Sequence, residues 1–365
     1  TAAIMGYTRP EPLLERNTPA SNPVDARGSA ITDIDCDPRF VSPRILALPS
    51  WKPTQSAFAA DQLDAECVLF MVRCAGEDRI AVATSSETVR VYDSNTLQQI
   101  HALSHHTDAI RSLRAGLDPN CLFTASEDKK WTMIDLRTGT VAVSVSHAES
   151  LFSFDCNGTL AAAGCDTFGD IALWDIRSLS NQLGVLDEFH TEEVRDIRFH
   201  PSFKSLLFSG SIDCLINKFD LNASTLDDAL VSVFNTNQSI RSFNFFGNNH
   251  DFIHCISEIE SMTLCSIENT EVVGFFPDVC ETLSGEISTR YLVDCHFDPL
   301  SQRLCLISGN YYGDVLGSFV ARDSFEPAMT LFNGHSSGVR SSCILNGKIL
   351  TGGEDSRIVS WNLNT

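Results

Sequence analysis

Three histidine–aspartate pairs in this 365-residue chain carry residue types used in acid–base catalysis. The pairs are His106 with Asp128, His190 with Asp213, and His335 with Asp355. Hydroxyl residues such as Thr351 lie between the members of each pair, and a histidine, an aspartate and a hydroxyl are the groups of a serine-hydrolase triad. A catalytic set occurs once in an enzyme, whereas this set recurs along the chain. The recurrence therefore predicts a structural role.

Other motifs that carry chemistry are scarce. The chain has no GxGxxG, GxxxxGK or HExxH sequence. The spacings His101–His105 and His250–His254 are those of metal-binding pairs, but no further ligands accompany them. Thirteen cysteines form no CxxC, and most fall in predicted strands, so we expect reduced and buried thiols. We predict a protein without enzymatic activity, cofactor or metal.

The stretch from His190 to Asn222 contains the clearest structural module. Three short runs of alternating apolar residues, 194–199, 205–209 and 215–219, are separated by turns at Pro201 and Asp213. They predict three antiparallel strands, because proline and aspartate favour turns. Similar stretches recur about every 40 to 50 residues, which is the period of β-propeller blades with four strands each.

The modules end in similar residue pairs, and these pairs carry a family resemblance. They are Tyr92-Asp93, Ile134-Asp135, Trp174-Asp175, Phe219-Asp220 and Trp361-Asn362. Together with the recurring histidine and aspartate offsets, they resemble the WD-repeat β-propeller family from about residue 65 to the end. We predict an all-β, seven-bladed WD-repeat β-propeller. The stretches 190–222 and 339–362 are similar to one subgroup of that family, which is treated as a scaffold without enzymatic activity.

The resemblance implies that the histidine–aspartate pairs belong to buried, hydrogen-bonded tetrads. The fullest set is His335, Thr351, Asp355 and Trp361 in the last blade. The other two pairs repeat part of it. A hydrogen bond to a charged group contributes about 1.5 to 3 kcal/mol, whereas an unpaired buried imidazole is costly. We therefore expect these residues to stabilise the fold.

The last predicted blade has only three strands before residue 365, so its fourth strand must come from elsewhere. The apolar segment 44–51, with Ile45 to Leu48 at its centre, is a candidate, because closing the ring removes exposed sheet edges. We predict a flexible N-terminal extension over residues 1–43. Residues 44–365 would form the propeller, with a strand at 44–51 completing the last blade.

One position in the modules is rich in arginine. The residue after the first aliphatic of the module is Arg111, Arg195, Arg241 or Arg340 in four modules, and Phe152 in another. The family geometry implies that this position lies near the top of the innermost strand. We predict a partner-binding ring at the channel mouth, suited to an acidic peptide, a carboxylate or a phosphate. The alternative is that each arginine pairs with a nearby acid (Asp108, Glu193 or Asp196) and only joins neighbouring blades.

Two further functions remain open. The sequence Trp174-Asp175-Ile176-Arg177, and more weakly Ile134-Asp135-Leu136-Arg137, resembles the WDxR boxes through which some propellers dock onto the adaptor of cullin-4 ubiquitin ligases. Trp174, Asp175 and Arg177 would then make this protein a substrate receptor. The third function is assembly or chaperoning of basic clients in ribosome biogenesis or chromatin, which the acidic composition would suit.

Net charge and hydropathy indicate which partners and which cellular location to expect. The formal charge is −21, which argues against general nucleic-acid binding because phosphates are repelled. The sequence shows neither an apolar run long enough to span a membrane nor a secretory signal. We expect an intracellular protein of the cytoplasm or nucleus. Its partners would be proteins or peptides, which it would bind as a monomeric propeller within a larger complex.

Overall fold

The computed structural model describes most of the chain from Ser50 onward. The described residues are 50–51, 53–58, 66–74, 78–166, 169–178, 182–285, 287–299, 301–345 and 347–362. The predicted N-terminal extension, 1–43, lies outside them, and it stays a prediction.

The strands, numbered in chain order, form seven sheets. Two strands, β1 (Ser50–Trp51) and β2 (Gln55–Phe58), precede the first blade. Blade one contains β3 (Val68–Arg73), β4 (Arg79–Thr84), β5 (Thr88–Asp93) and β6 (Gln99–Ser104). Blade two contains β7 (Ile110–Ala115), β8 (Cys121–Ser126), β9 (Lys130–Asp135) and β10 (Thr140–Ser146). Blade three contains β11 (Leu151–Cys156), β12 (Leu160–Cys165), β13 (Ile171–Asp175) and β14 (Gln182–Leu186).

The second half of the chain continues the pattern. Blade four contains β15 (Val194–Phe199), β16 (Leu206–Ser211), β17 (Leu215–Asp220) and β18 (Leu230–Asn235). Blade five contains β19 (Ile240–Phe246), β20 (Phe252–Ser257), β21 (Met262–Ser266) and β22 (Val272–Phe276), and a single helical turn, α1 (Val279–Thr282), follows it. Blade six contains β23 (Tyr291–Asp298), β24 (Arg303–Gly309), β25 (Val315–Val320) and β26 (Phe325–Leu331). Blade seven contains β27 (Val339–Leu345), β28 (Lys348–Gly353) and β29 (Arg357–Asn362).

The hydrophobic core lies between the blades. Clusters of buried apolar side chains join neighbouring blades. In one of them, Val68 and Ile80 of blade one pack with Leu350 and Ile358 of blade seven. Innermost strands of neighbouring blades also touch, and β27 touches β3, so the first and last blades meet. The protein is therefore a closed, seven-bladed β-propeller, which confirms the predicted fold class. The part of the chain that the structure describes contains no helix long and apolar enough to cross a membrane.

An N-terminal strand completes blade seven, as predicted, but it lies later in the chain than the segment proposed for it. Strand β2 pairs antiparallel with β29, with Gln55 opposite Ser360. Of the proposed segment 44–51 only Ser50 and Trp51 are described, and they pair parallel with β26 in blade six. The apolar character of 44–51 does not identify the strand that completes blade seven, because outer strands of this propeller are largely exposed and β2 is itself mostly exposed.

Candidate functional site

The innermost strand of every blade contains a register irregularity after its first residue or, in blade six, after its second. The residues skipped by the pairing are Leu69, Arg111, Phe152, Arg195, Arg241, Val293 and Arg340. A β-bulge leaves its extra residue unpaired and turns that side chain away from the ladder. All seven side chains line the same channel mouth. We call these seven residues the bulge ring.

The structure thus brings together the five residues proposed for partner binding. Arg111, Phe152, Arg195 and Arg241 come from consecutive blades, two to five, and form a continuous cationic and aromatic arc. Arg340 stands apart from that arc. It lies between two aliphatic members of the ring, Val293 and Leu69, which sequence reasoning missed. Their signal was the shared offset within the innermost strand, without a shared residue type.

Each ring arginine also has an acidic partner. Arg195 pairs with Glu193 at 2.8 Å, and Arg241 Nη1 lies 2.8 Å from Glu260. Arg111 pairs with Glu127 and Arg340 with Glu354. Of the acids proposed as alternatives, Glu193 takes that role for Arg195, whereas Asp108 and Asp196 make other contacts. Acid pairing and exposure to the channel therefore coexist at the same arginines.

Aromatic rings also orient the guanidinium groups. The Cζ atoms of Arg111 and Arg195 each lie 5.3 Å from the centroid of the Phe152 ring. Arg340 Cζ lies 5.5 Å from the centroid of the Tyr291 ring. Contacts of this kind contribute about 0.5 to 1 kcal/mol each at partly exposed sites. The charged groups remain accessible, since the Arg111 and Arg340 side chains are 42% and 45% exposed.

The channel below the ring is predominantly cationic. A cavity of about 540 Å³ at the mouth is continuous in its lining with an inner cavity of about 240 Å³. Among the described residues, the ionisable groups lining the inner cavity are six arginines and two aspartates. They are Arg111, Arg114, Arg195, Arg198, Arg241, Arg340, Asp196 and Asp294. Counted on these lining groups alone, the charge is opposite in sign to the net charge of the chain, and the four glutamates paired with the ring arginines offset it.

Ion pairs link the blades at the inner end of this cavity. Arg114 of blade two pairs with Asp196 of blade four and donates through Nε to the Phe154 carbonyl at 3.1 Å. Asp196 also accepts from Arg198 at 3.3 Å. Asp155 is nearby, accepts the Phe199 N–H at 2.7 Å, and has a pKa raised by burial. These groups are already satisfied within the fold, so the ring is the accessible part of the channel.

The three histidine–aspartate pairs are each joined by a hydrogen bond. The Nδ1 atoms of His106, His190 and His335 lie 2.9 Å from Asp128, Asp213 and Asp355 respectively. Their Nε2 atoms contact buried hydroxyls of Thr124, Ser209 and Thr351 at 2.7, 2.7 and 2.8 Å. In blade seven, Trp361 Nε1 also donates to Thr351 at 2.8 Å, so all four proposed tetrad residues meet there.

The aspartates of these sets are held ionised. Burial opposes ionisation of Asp355, but the hydrogen bond and charge of His335 and two backbone N–H donors outweigh it. The pKa of Asp355 is consequently lowered. The pKa values of Asp128 and Asp213 are lowered for similar reasons, against the opposing effect of burial.

Although the sequence analysis predicts no catalytic motif, a Gly-x-Ser-x-Gly sequence lies at 334–338, and its geometry is not that of a nucleophile. In hydrolases this spacing places a serine on a sharp strand-to-helix turn beside a histidine base. Here the Ser336 N–H donates to Asp355 at 2.8 Å, and both ring nitrogens of His335 contact Asp355 and Thr351. Ser336 therefore has no histidine base available to it.

The proposed adaptor-docking residues lie at the end of β13. Trp174 is buried, with its ring 5.8 Å from Trp131, so it does not reach a partner. Arg177 donates to Asp175 through Nε at 3.0 Å and Nη2 at 2.8 Å, and these bonds lower the Asp175 pKa to about 2. The Arg177 side chain is 71% exposed. Among these three residues Arg177 has the most exposed side chain.

Seven blades surround one channel, and histidine–aspartate hydrogen bonds lie at equivalent positions in blades two, four and seven, so the fold is a β-propeller with features of WD repeats. A sequence profile of the family described as WD domain, G-beta repeat, matches residues 97–135. That interval includes β6, the outer strand of blade one, and the first three strands of blade two. Such a fold is consistent with a protein-interaction scaffold.

The chain is also similar to particular WD-repeat proteins. WD repeat-containing protein 89 homolog of Dictyostelium discoideum is 29% identical over 290 residues, which are 78% of this chain and 80% of that protein. WD repeat-containing protein GTS1 of Arabidopsis thaliana is 29% identical over 308 residues, 77% of each chain. WD repeat-containing protein 55 of Homo sapiens is 28% identical over 171 residues, 46% of this chain and 39% of that protein. The subgroup predicted from stretches 190–222 and 339–362 is that of protein 89, and this similarity is confirmed.

Proposed function

We propose that this protein is a non-enzymatic interaction scaffold that binds an acidic peptide segment of a partner protein at the bulge ring. The observation that carries the proposal is the convergence of four arginines from different blades on one cavity. Arginine forms paired hydrogen bonds with carboxylates, and a cleft of one sign concentrates ligands of the other.

The acidic partners of the arginines support this role. Arg241, for example, is held on two sides, by Glu260 and by the Leu292 carbonyl, each at 2.8 Å. A guanidinium group has five N–H donors, so such bonds fix its plane and leave donors for a ligand. The glutamates therefore pre-organise the ring, which reduces the entropic cost of binding.

The test is binding of fluorescent acidic and basic peptides to the parent protein and to the Arg195→Glu/Arg340→Glu variant. We expect the acidic peptide to bind, with an affinity that falls as salt is added, and the variant to lose that binding while its melting temperature is maintained. The matched control is Arg137→Glu/Arg177→Glu, which changes the charge equally outside the ring. Equal binding by parent and ring variant would refute the proposal.

Docking onto a ubiquitin-ligase adaptor through Trp174, Asp175 and Arg177 stays a prediction. Co-purification with the adaptor, lost in Arg177→Ala and retained in the ring variant, would support it. Binding of basic clients also stays a prediction. It requires the carboxylate surface rather than the ring, so a basic client would bind the ring variant at least as well as the parent.

A further inference from the structure

Two adjacent tyrosines beside the bulge ring project into solvent. Tyr311 and Tyr312 lie in the turn between β24 and β25 of blade six, and they are 63% and 79% exposed. Tyrosine is usually at least partly buried in folded proteins. The Tyr311 ring centroid is 5.6 Å from that of Tyr291, and Tyr291 in turn contacts Arg340 of the ring. The exposed pair is thus continuous with the channel mouth.

The turn that carries these tyrosines is firmly held. The buried side chain of Asn310 accepts hydrogen bonds from the N–H groups of Tyr312 and Asp314 at 2.9 and 3.1 Å. Its amide donates to the Asp314 carboxylate at 3.0 Å, and its backbone carbonyl accepts the Tyr291 hydroxyl at 3.0 Å. Gly313 adopts φ +89°, where an added Cβ would collide with the backbone of His335. The backbone under both rings is therefore fixed by several independent contacts.

These exposed rings contribute little to the stability of the fold, because an aromatic side chain stabilises a protein through the apolar surface that it buries. A rigid turn that presents two aromatic rings has the properties of a binding surface. Tyrosine supplies a large contact area at a small entropic cost, and it is enriched at protein interfaces.

We propose that Tyr311 and Tyr312 form a second subsite, the tyrosine ledge, which takes an aromatic side chain of the same acidic peptide that occupies the bulge ring. The inference rests on the proposed function and specifies its ligand. Stacking on exposed tyrosine rings suits an aromatic group, since offset and edge-on arrangements of two rings are favourable.

The spacing of the two subsites limits the spacing of the ligand's residues. The Tyr291 centroid lies 5.5 Å from Arg340 Cζ and 5.6 Å from the Tyr311 centroid, so the charge and the ledge are no more than about 11 Å apart. An extended peptide advances about 3.3 Å per residue. The ligand is therefore an extended segment in which an acidic residue and an aromatic residue are separated by at most roughly three positions.

The test uses synthetic peptides that contain one glutamate cluster and one tryptophan, joined by glycine–serine spacers of increasing length. Binding to the full chain is measured by fluorescence anisotropy. We expect the tightest binding when the spacer corresponds to at most about three positions, and about tenfold weaker binding when alanine replaces the tryptophan. Tyr311→Ser/Tyr312→Ser should remove that difference between the tryptophan and alanine peptides.

Two control variants separate ring stacking from other effects. Tyr311→Phe/Tyr312→Phe keeps the rings and should retain tight binding. Phe203→Ser removes an exposed aromatic ring near the opposite end of strand β15 from Arg195 and should leave binding unchanged.

The outcomes distinguish the two proposals. Loss of all acidic-peptide binding in the ring variant, combined with equal binding of tryptophan and alanine peptides to the parent, would overturn the ledge and leave the proposed function standing. Peptide binding that is insensitive to Arg195→Glu/Arg340→Glu would overturn both. A preference for leucine or proline over tryptophan that the serine variant abolishes would also overturn the aromatic assignment.

Discussion

Replacing Thr351 by valine removes one hydroxyl from the centre of blade seven and preserves the volume of the side chain. Thr351 is completely buried. Its Oγ1 lies 2.8 Å from both His335 Nε2 and Trp361 Nε1. The indole can only donate, so the hydroxyl accepts from Trp361 and directs its own hydrogen to His335, whose other nitrogen faces Asp355. Valine would leave two buried polar atoms without partners.

The expected cost follows from those two atoms. A buried polar group that loses its partner costs about 1 to 3 kcal/mol, and the added methyl of valine returns about 0.8 kcal/mol of hydrophobic free energy. We therefore expect Thr351→Val to lower the free energy of unfolding by about 1 to 5 kcal/mol. Thr140→Val, on the exposed outer strand β10, is the matched control and should change it by less than about 0.5 kcal/mol.

Urea unfolding of parent and both variants, followed by circular dichroism and by tryptophan fluorescence, measures these differences. The two signals must give the same midpoint for a free energy to be assigned, because repeat arrays can unfold in steps. A Thr351→Val protein within about 0.5 kcal/mol of the parent would refute the claim that the tetrad stabilises blade seven.

Two other predictions concern the closure of the propeller by β2 and the pH dependence of its stability. Removing residues 1–52 deletes β1 but retains β2, whereas removing 1–58 deletes both strands and exposes the edge of β29. The longer truncation should therefore melt earlier and aggregate more than the shorter one; equal behaviour of both truncations would contradict this role of β2. Burial lowers the pKa of His254 from 6.5 to about 3, so the folded chain excludes a proton that the unfolded chain binds, and stability should fall as the pH decreases below about 6.5. His254→Leu should show a shallower decrease in melting temperature between pH 7 and about pH 4, and an unchanged slope would contradict the assignment.

The position of the ring arginines could be predicted from sequence, but the reason for their orientation could not. The ring arginines share an offset from a histidine or an aliphatic residue. This offset predicts that they lie at equivalent positions in their blades. The turn into the channel comes from a β-bulge, which is defined by pairing with a second strand and leaves no residue signature at Arg111 or Arg340. Leu69 occupies the same bulge in blade one, and only its offset within the innermost strand, not its residue type, marks it.

The acidic partners show a second limit of sequence reasoning. The sequence predicts Asp108, Glu193 and Asp196 as the partners, and of these Glu193 pairs with Arg195. Glu127 and Glu354 instead lie in the turn after the second strand of their own blades, where the hairpin brings them across from Arg111 and Arg340. Cross-strand neighbours on one face of a sheet are close in space although many residues apart. Only the strand register identifies them.

The asymmetry of the bulge ring gives a bound peptide a direction. Arginines occupy blades two, four and five, with Phe152 in blade three, whereas Arg340 is flanked by the aliphatic residues Leu69 and Val293. The tyrosine ledge adjoins Arg340, because Tyr291 contacts both. A ligand with several acidic residues gains most over the arginine arc, and its aromatic residue gains most beside Arg340. A seven-fold symmetric ring would bind a peptide in many equivalent orientations, so the unequal residues of this ring are what select one.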